Sequence, residues 1–339
     1  MSSENSGDEA KLKTPPMLYR ETQALIEQIE ALTGTRLVTY WNSFSGAICH
    51  NDVRVLYKLL TQMGRTEQLS IFVKSDGGNG SASLRMVHLL RNFSTSLRAY
   101  VPLDCESAAT MLVLGADQID MGPLAFLTPI DTSLRHDLSP VDRDNDLVSV
   151  GQNELTRVIK LWNGEAEKVG GGNPYPAIYS YIHPLVIGAV DRASSLSKML
   201  CNEILSYHME DAERRDRISE TLNADYPSHG YPITLKEAQR IGLNVKPIDP
   251  ELEEMLMSLN DLYSQMGQRC RTDFDEKNHH DNQINNILEI SGLQMYYRID
   301  KDWFYRSEER RWVSLNDKGN WNTVQSLGGE IMIEPFHIR

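Results

Sequence analysis

Residues 69–110 read LSIFVKSDGGNGSASLRMVHLLRNFSTSLRAYVPLDCESAAT and carry the pattern that decides the fold. Residues 69–73 are a short apolar run typical of a buried strand, and a glycine-rich turn follows them. Ser81 then opens a stretch with apolar residues at helical spacing, and residues 97–101 form a second strand-like run. Strand, helix and strand at this spacing favour right-handed crossovers and a mostly parallel sheet with helices on its faces. The sequence therefore predicts an α/β fold.

The same alternation extends on both sides of this stretch. Residues 135–154 interrupt it, because they are rich in Asp, Asn, Arg and Ser, and they form the longest irregular excursion, of the kind that often serves as a lid or substrate wall. Helices are predicted at 18–32, at 53–63, after Glu106 up to Gly115, at 183–208, at 235–241 and from Pro250 onward, and further strands at 37–41, 119–121 and 126–127.

Composition divides the chain into four predicted segments. Residues 1–17 are polar and read as a flexible leader, and residues 18–266 read as the main α/β domain. Residues 267–286 are nearly devoid of apolar side chains and are predicted to be a polar linker. Residues 287–339 contain three of the five tryptophans and short β-prone runs between turns, which predicts a small antiparallel β module.

Charge and cysteine content exclude several classes of protein. Lysine plus arginine number 34 against 47 acidic residues, so the formal net charge of −13 disfavours binding to a nucleic-acid backbone. No stretch is long and apolar enough to predict a membrane span, and the four cysteines lack zinc-ligand spacing. The sequence predicts a cytoplasmic protein with reduced thiols, no cofactor and no metal. The segment His279-His280-Asp281 could suggest a metal site, but it lacks a positioned third ligand.

Two small constellations follow successive predicted strands. Gly77 and Gly78 lie at the end of the first, where backbone N–H groups could approach a charged oxygen, or where the glycines serve only the geometry of the turn. Ser107 lies at the start of a helix beyond the second, where it could be an exposed nucleophile or only a helix N-cap. Their joint occurrence at one sheet edge favours a chemical role.

The order of these pieces resembles the Clp protease and crotonase superfamily, and within it the serine dehydrogenase proteinase family, a relative of signal peptide peptidase A. The resemblance covers residues 18–248 and does not extend visibly to 267–339. The matching pieces are Leu25–Glu30, Ser75–Gly78, Glu106–Thr110, Ala116–Ile119, Thr128–Asp131, Tyr175–Ala177 and His229–Thr234.

This resemblance implies a ClpP-like spiral of ββα units and a serine peptidase. Ser107 would be the nucleophile, and the N–H groups of Gly78, beside Gly77, and of Ala108 would form the oxyanion hole. Two departures from the family pattern stand out: Asp76 replaces a proline, and Ala108-Ala109 replace two glycines.

The general base is left open by the sequence. The histidine of Clp proteases would fall near Asp131, where this chain has none, although Asp131 could orient a base from elsewhere. Signal peptide peptidases use a downstream lysine, which Lys160 fits, with Lys198 as a second choice and His229 as a third. A lysine would need a lowered pKa, whereas a histidine already titrates near neutral pH.

The leading hypothesis is therefore a serine peptidase that acts on a peptide or protein substrate. The resemblance also implies a homo-oligomer, and a regulatory protein partner is a further possibility. Two alternatives remain open at this point: a catalytically inactive ClpP-like scaffold, and a crotonase-like enzyme acting on acyl-coenzyme A thioesters.

Overall fold

The computed structural model describes residues 11–143, 146–169 and 173–338. The helices are α1 (Tyr19–Thr33), α2 (His50–Met63), α3 (Gly80–Phe93), α4 (Ala108–Leu114), α5 (Gln152–Val169), α6 (Tyr175–Ile178), α7 (Pro184–Ser206), α8 (Ala212–Glu220), α9 (Leu235–Arg240) and α10 (Pro250–Met266), with a π-helical turn at Thr221–Asp225. The strands are β1 (Arg36–Asn42), β2 (Thr66–Lys74), β3 (Ser94–Val101), β4 (Asp104–Cys105), β5 (Gln118–Met121), β6 (Phe126–Leu127), β7 (Ser133–Leu134), β8 (Val150–Gly151), β9 (Val245–Pro247), β10 (Cys270–Asp273), β11 (Asn278–Ile290), β12 (Leu293–Arg306), β13 (Arg311–Asp317), β14 (Asn320–Leu327) and β15 (Glu330–Phe336).

Within the described residues, eleven of these strands form one mixed sheet. Its backbone order is β15-β14-β12-β11-β1-β2-β3-β5-β9, with β10 paired to β11 and β13 paired to β12. Every pairing from β1 to β9 is parallel, and every pairing from β11 to β15 is antiparallel. We call these the parallel half and the antiparallel half; they join where β1 pairs antiparallel with β11.

Helices cover both faces of the parallel half, because its strands send apolar side chains alternately to each face. In β1, Val38 and Tyr40 enter the core under α2, α3, α4 and α7, whereas Leu37 and Trp41 enter the core under α1 and α10. The predicted α/β fold class is thus confirmed, and the predicted helices and strands up to Met266 correspond to elements of the structure. Among the helices of the described chain, none is both long and apolar enough to cross a membrane.

The predictions for the C-terminal part need correction. Residues 278–286, predicted to belong to a polar linker, begin the long strand β11, in which residues 279–290 are all buried. The strands from Leu293 onward are antiparallel, as predicted for this segment, and they continue the same sheet. The polar composition of this segment predicts an exposed linker, but polar side chains can be buried when they hydrogen-bond to one another.

Glu289 on β11 illustrates this arrangement. Its side chain is fully buried, and its Oε1 accepts hydrogen bonds from Thr22 Oγ1 at 2.7 Å and Gln23 Nε2 at 2.6 Å. Its Oε2 accepts from Tyr263 OH and from Gln294 Nε2, both at 2.7 Å. Burial raises the pKa of Glu289, and the four donors oppose that rise. This network ties α1 and α10 to the antiparallel half.

The predicted leader lies partly outside the described residues, which begin at residue 11. Its last residues contact the fold: the backbone N–H of Lys13 donates to Thr272 Oγ1 at 2.9 Å, and Pro15 is buried. The end of the predicted leader therefore packs along β10.

Candidate active site

A cavity of about 320 Å³ opens at the carboxyl ends of β2 and β3. Two short loops meet there because Ser75 and Cys105 pair as an isolated parallel bridge, with Glu106 N–H donating to the carbonyl of Ser75 at 2.9 Å. Its lining includes Gly78, Ser107, Ala108, Asp131 and His229. Its apolar wall is formed by Met111, Ile130, Ala193, Leu196 and Leu200.

Ser107 has an unusual backbone conformation, with φ 52° and ψ −114°. A left-handed φ is costly for a residue with a side chain and persists only where its surroundings hold it. Here the backbone N–H of Ser107 donates to Thr128 Oγ1 at 2.7 Å. Ser107 occupies the N-cap position of α4, but its side chain makes no capping hydrogen bond to that helix. Ser107 is one of the residues that line the cavity.

Thr128 belongs to a small buried network behind the serine. Thr110 Oγ1 donates to the carbonyls of Cys105 and Thr128, each at 3.0 Å, and Thr128 is itself fully buried. These bonds fix the Thr128 backbone and so hold its hydroxyl under the Ser107 N–H. Sequence reasoning assigned Thr128 no role; the only signal was its position directly before Pro129 in a matching motif.

The Gly77-Gly78 turn brings backbone against backbone. Both residues have positive φ values, 98° and 140°, and a Cβ on Gly78 would lie 2.4 Å from the carbonyl oxygen of Ile48. A Cβ on Gly77 would lie 2.8 Å from the Cβ of Ser107, so only glycine permits the two loops to approach this closely. In the described part of the chain, no hydrogen bond uses the N–H of Gly78 or of Ala108. Both donors are therefore available at the cavity wall.

His229 and Asp131 form a hydrogen-bonded pair at the same cavity, with Nδ1 and Oδ1 2.8 Å apart. The loop that carries His229 is anchored by two backbone hydrogen bonds between Ile233 and Leu127, at 2.8 and 3.0 Å. A carboxylate accepts, so Nδ1 carries the proton, and in the neutral ring Nε2 is left as an acceptor. The hydrogen bond to Asp131 raises the pKa of His229, and partial burial opposes the rise.

The two lysines predicted as alternative bases are placed differently. Lys198 Nζ pairs with Glu220 Oε2 at 2.7 Å, and Lys160 is exposed on α5. Neither is among the described residues that line the cavity. The structure thus brings together Ser107, Gly78, Ala108, His229 and Asp131, and it leaves Lys160 and Lys198 outside.

The His279-His280-Asp281 segment lies elsewhere, within β11. Its side chains engage neighbouring strands: His280 Nδ1 lies 2.8 Å from Asp302 Oδ1, and Arg269 donates two hydrogen bonds to Asp281. His279 stacks against Trp303 on β12. Across the described ranges, no group of three His, Cys, Asp or Glu side chains has the arrangement of a metal site.

Comparison with known proteins gives partial similarities. No known protein-family profile matches the chain. The chain is 23% identical over 214 residues to the uncharacterized protein MJ0137 of Methanocaldococcus jannaschii, a match that spans 63% of this chain and 65% of the relative.

Two of the similar solved structures are proteases. A mutant of the 1510-N membrane-bound stomatin-specific protease shares 14% identity over 69% of this chain and 84% of its own, with a TM-score of 0.38. A mutant of ClpP1 from Listeria monocytogenes shares 14% identity over 67% of this chain and 99% of its own, with a TM-score of 0.31.

Proposed function

We propose that this protein is a serine peptidase in which Ser107 is the nucleophile, His229 the general base and Asp131 the residue that orients His229. The observation that carries this proposal is the 2.8 Å hydrogen bond between His229 and Asp131 on the wall of the cavity that Ser107 also lines. Such a pair holds the imidazole in the tautomer that can accept a proton from a serine.

The chemistry would proceed through an acyl-enzyme. Nε2 of His229 takes the proton of the Ser107 hydroxyl while Oγ forms a bond to the peptide carbonyl carbon. The carbonyl oxygen becomes an oxyanion, the C–N bond then breaks, and His229 returns the proton to the leaving amine. Water repeats the sequence on the ester, which releases the acid and restores Ser107. Asp131 stays ionised and stabilises the imidazolium formed in between.

The oxyanion would be bound by the N–H groups of Gly78 and Ala108. Both lie at the cavity wall, and neither is used in another hydrogen bond of the described residues. Donors fixed in a backbone need no reorganisation when charge develops, which is why such groups contribute strongly to acyl transfer. Alanine in place of glycine at 108 keeps the N–H and adds only a methyl group.

The apolar wall of the cavity supports a polypeptide substrate that inserts an apolar side chain. A lysine base is less well supported, since Lys198 is paired with Glu220 and Lys160 is exposed. Membership in the serine dehydrogenase proteinase family, a cytoplasmic location, a homo-oligomeric state and a regulatory partner remain parts of this proposal.

Labelling with a fluorophosphonate probe tests the nucleophile. We expect one covalent adduct on Ser107, located by peptide mass spectrometry, and its loss in Ser107→Ala. Ser81→Ala is the matched control, because Ser81 lines the same cavity and has no assigned role. An adduct on another residue, or none on folded protein, would reject the nucleophile.

Substrate assays separate the remaining alternatives. Hydrolysis of an unfolded protein such as casein that disappears in Ser107→Ala supports a peptidase. Turnover of acyl-coenzyme A without casein cleavage would favour the thioester enzyme, and absence of labelling and of both activities would favour the scaffold.

A further inference from the structure

A second concave surface lies away from the catalytic cavity, between α2, α3 and residues 336–338, and we call it the α2–α3 groove. Its volume is about 570 Å³, within the range of small-molecule sites. Its apolar lining consists of Val53, Tyr57, Leu89, Phe336 and Ile338. Tyr57 is 55% exposed and makes a T-shaped contact with the ring of Phe93.

The charge of the groove contrasts with that of the chain. Arg54, Lys58, Arg85 and His337 line it, and no acidic side chain does, although the chain has a net charge of −13. Among the described residues, no ion pair involves these four side chains; the one polar contact of this set is Arg85 with His50, at 3.2 Å. An apolar floor with unpaired cations beside it is complementary to an anion that carries a hydrocarbon chain.

The hydrogen-bonding groups of the lining indicate which kind of head group the ligand carries. Arginine and lysine side chains only donate, so they suit a head group that only accepts, and a carboxylate has this character. A peptide would also bring backbone N–H donors, for which the groove offers few side-chain acceptors beyond Tyr57, Thr61 and His337. We propose that the α2–α3 groove binds an anionic amphiphile with a carboxylate head and an alkyl tail. This site is independent of the catalytic proposal.

Calorimetric titration with decanoate tests the proposal on the full chain below the micellar concentration. We expect saturable binding at one site, tightening by about twofold to fourfold for each methylene added between octanoate and dodecanoate. Decylammonium, which has the same tail and the opposite charge, should bind at least tenfold more weakly. Equal binding of the two would overturn the assignment of the cationic rim.

Variants locate the site. The double variant Arg54→Gln and Lys58→Gln should weaken decanoate binding by at least tenfold, and Leu89→Ser should weaken it by about threefold to tenfold through lost apolar contact. Lys236→Gln with Lys246→Gln is the control, because it removes the same charge from exposed residues at the β9 end of the sheet.

Three results would overturn the proposal: no decanoate binding to the folded chain, unchanged binding in the Arg54 and Lys58 variant, or equal weakening in the control pair. An acidic peptide that binds the groove where decanoate does not would also overturn it, and would indicate a protein partner. Fluorophosphonate labelling of Ser107 is measured in the same variants and should not change, so this proposal and the catalytic one fail separately.

Discussion

Strands β2 and β11 are both buried in the same sheet, yet they reach burial by different means. Residues 69–73 of β2 are an apolar run with one serine, whereas β11 reads NHHDNQINNILEI. Burial of β2 is stabilised by the removal of apolar surface from water. Burial of β11 depends on hydrogen bonds between polar side chains, such as those that Glu289 accepts. The parallel half also ends in the loops that carry the candidate active site. Substitutions in the parallel half should therefore affect mainly catalysis, and substitutions in the antiparallel half mainly stability.

The largest effect is expected at the general base. His229→Gln should lower the rate of fluorophosphonate labelling at Ser107 by about 10²- to 10⁴-fold, the usual contribution of a positioned base. Above the folded-state pKa of His229, the free energy of unfolding should change by less than about 0.5 kcal/mol, because the side chain is half-exposed. His136→Gln, in the nearby excursion, is the control and should label normally. Normal labelling in His229→Gln would contradict the role of His229 as the base and would favour Lys160 or Lys198.

The pH dependence sharpens the same point. Labelling should rise with pH through the pKa of His229, which lies above the ordinary histidine value, because only the neutral ring accepts the serine proton. Asp131→Asn removes the charge and weakens the hydrogen bond that raise this pKa, so the midpoint should move to lower pH and the plateau rate should fall. A midpoint that does not move in Asp131→Asn would contradict the pairing.

The same pair has the opposite effect on stability. Since folding raises the pKa of His229, the protonated pair stabilises the fold below the unfolded-state pKa, and this contribution is lost as pH rises through the folded-state pKa. Unfolding measured across this pH window in the wild type and in Asp131→Asn would detect the difference. The rise in pH that lets His229 accept the serine proton therefore also removes this contribution to stability.

In the antiparallel half, Glu289→Ala should destabilise the fold by about 3–5 kcal/mol, because four buried donors lose their acceptor. Urea unfolding measures this, and labelling of Ser107 in the remaining folded protein should keep its wild-type rate. Glu254→Ala, at an exposed position on α10, should change stability by less than about 0.5 kcal/mol. A Glu289 variant that loses labelling while folded would break the separation of the two halves.

The smallest effect is expected at Thr128. Thr128→Val keeps the shape but removes the acceptor for the Ser107 N–H, which should cost about 1–3 kcal/mol and slow labelling by about 10- to 100-fold. Thr128→Ser keeps the hydroxyl and should restore most of the rate. The pH midpoint should stay where it is in both variants, since Thr128 acts on the serine backbone and not on His229.

Sequence reasoning succeeded where burial is apolar and local. The run at residues 69–73 and the glycines after it were sufficient to predict a sheet edge with Gly78 and Ser107 on successive loops. It could not select His229 over Lys160 and Lys198, because the contact with Asp131 exists only once distant loops meet. It mistook the start of β11 for a linker, since composition does not reveal that Gln283, Asn285 and Asn286 find buried hydrogen-bond partners.

The pairing of β1 with β11 also bears on how the chain reaches its native state. Thr39 Oγ1 donates to the carbonyl of Glu289 at 3.4 Å across a separation of 250 residues. Until the later strand arrives, one edge of β1 has no neighbour, and an exposed strand edge is prone to pair with another chain. Contacts of this range slow folding. During synthesis, the edge of β1 therefore stays unpaired until β11 has been made. Protection by a chaperone at this stage should matter more for this chain than for one whose neighbouring strands are close in sequence.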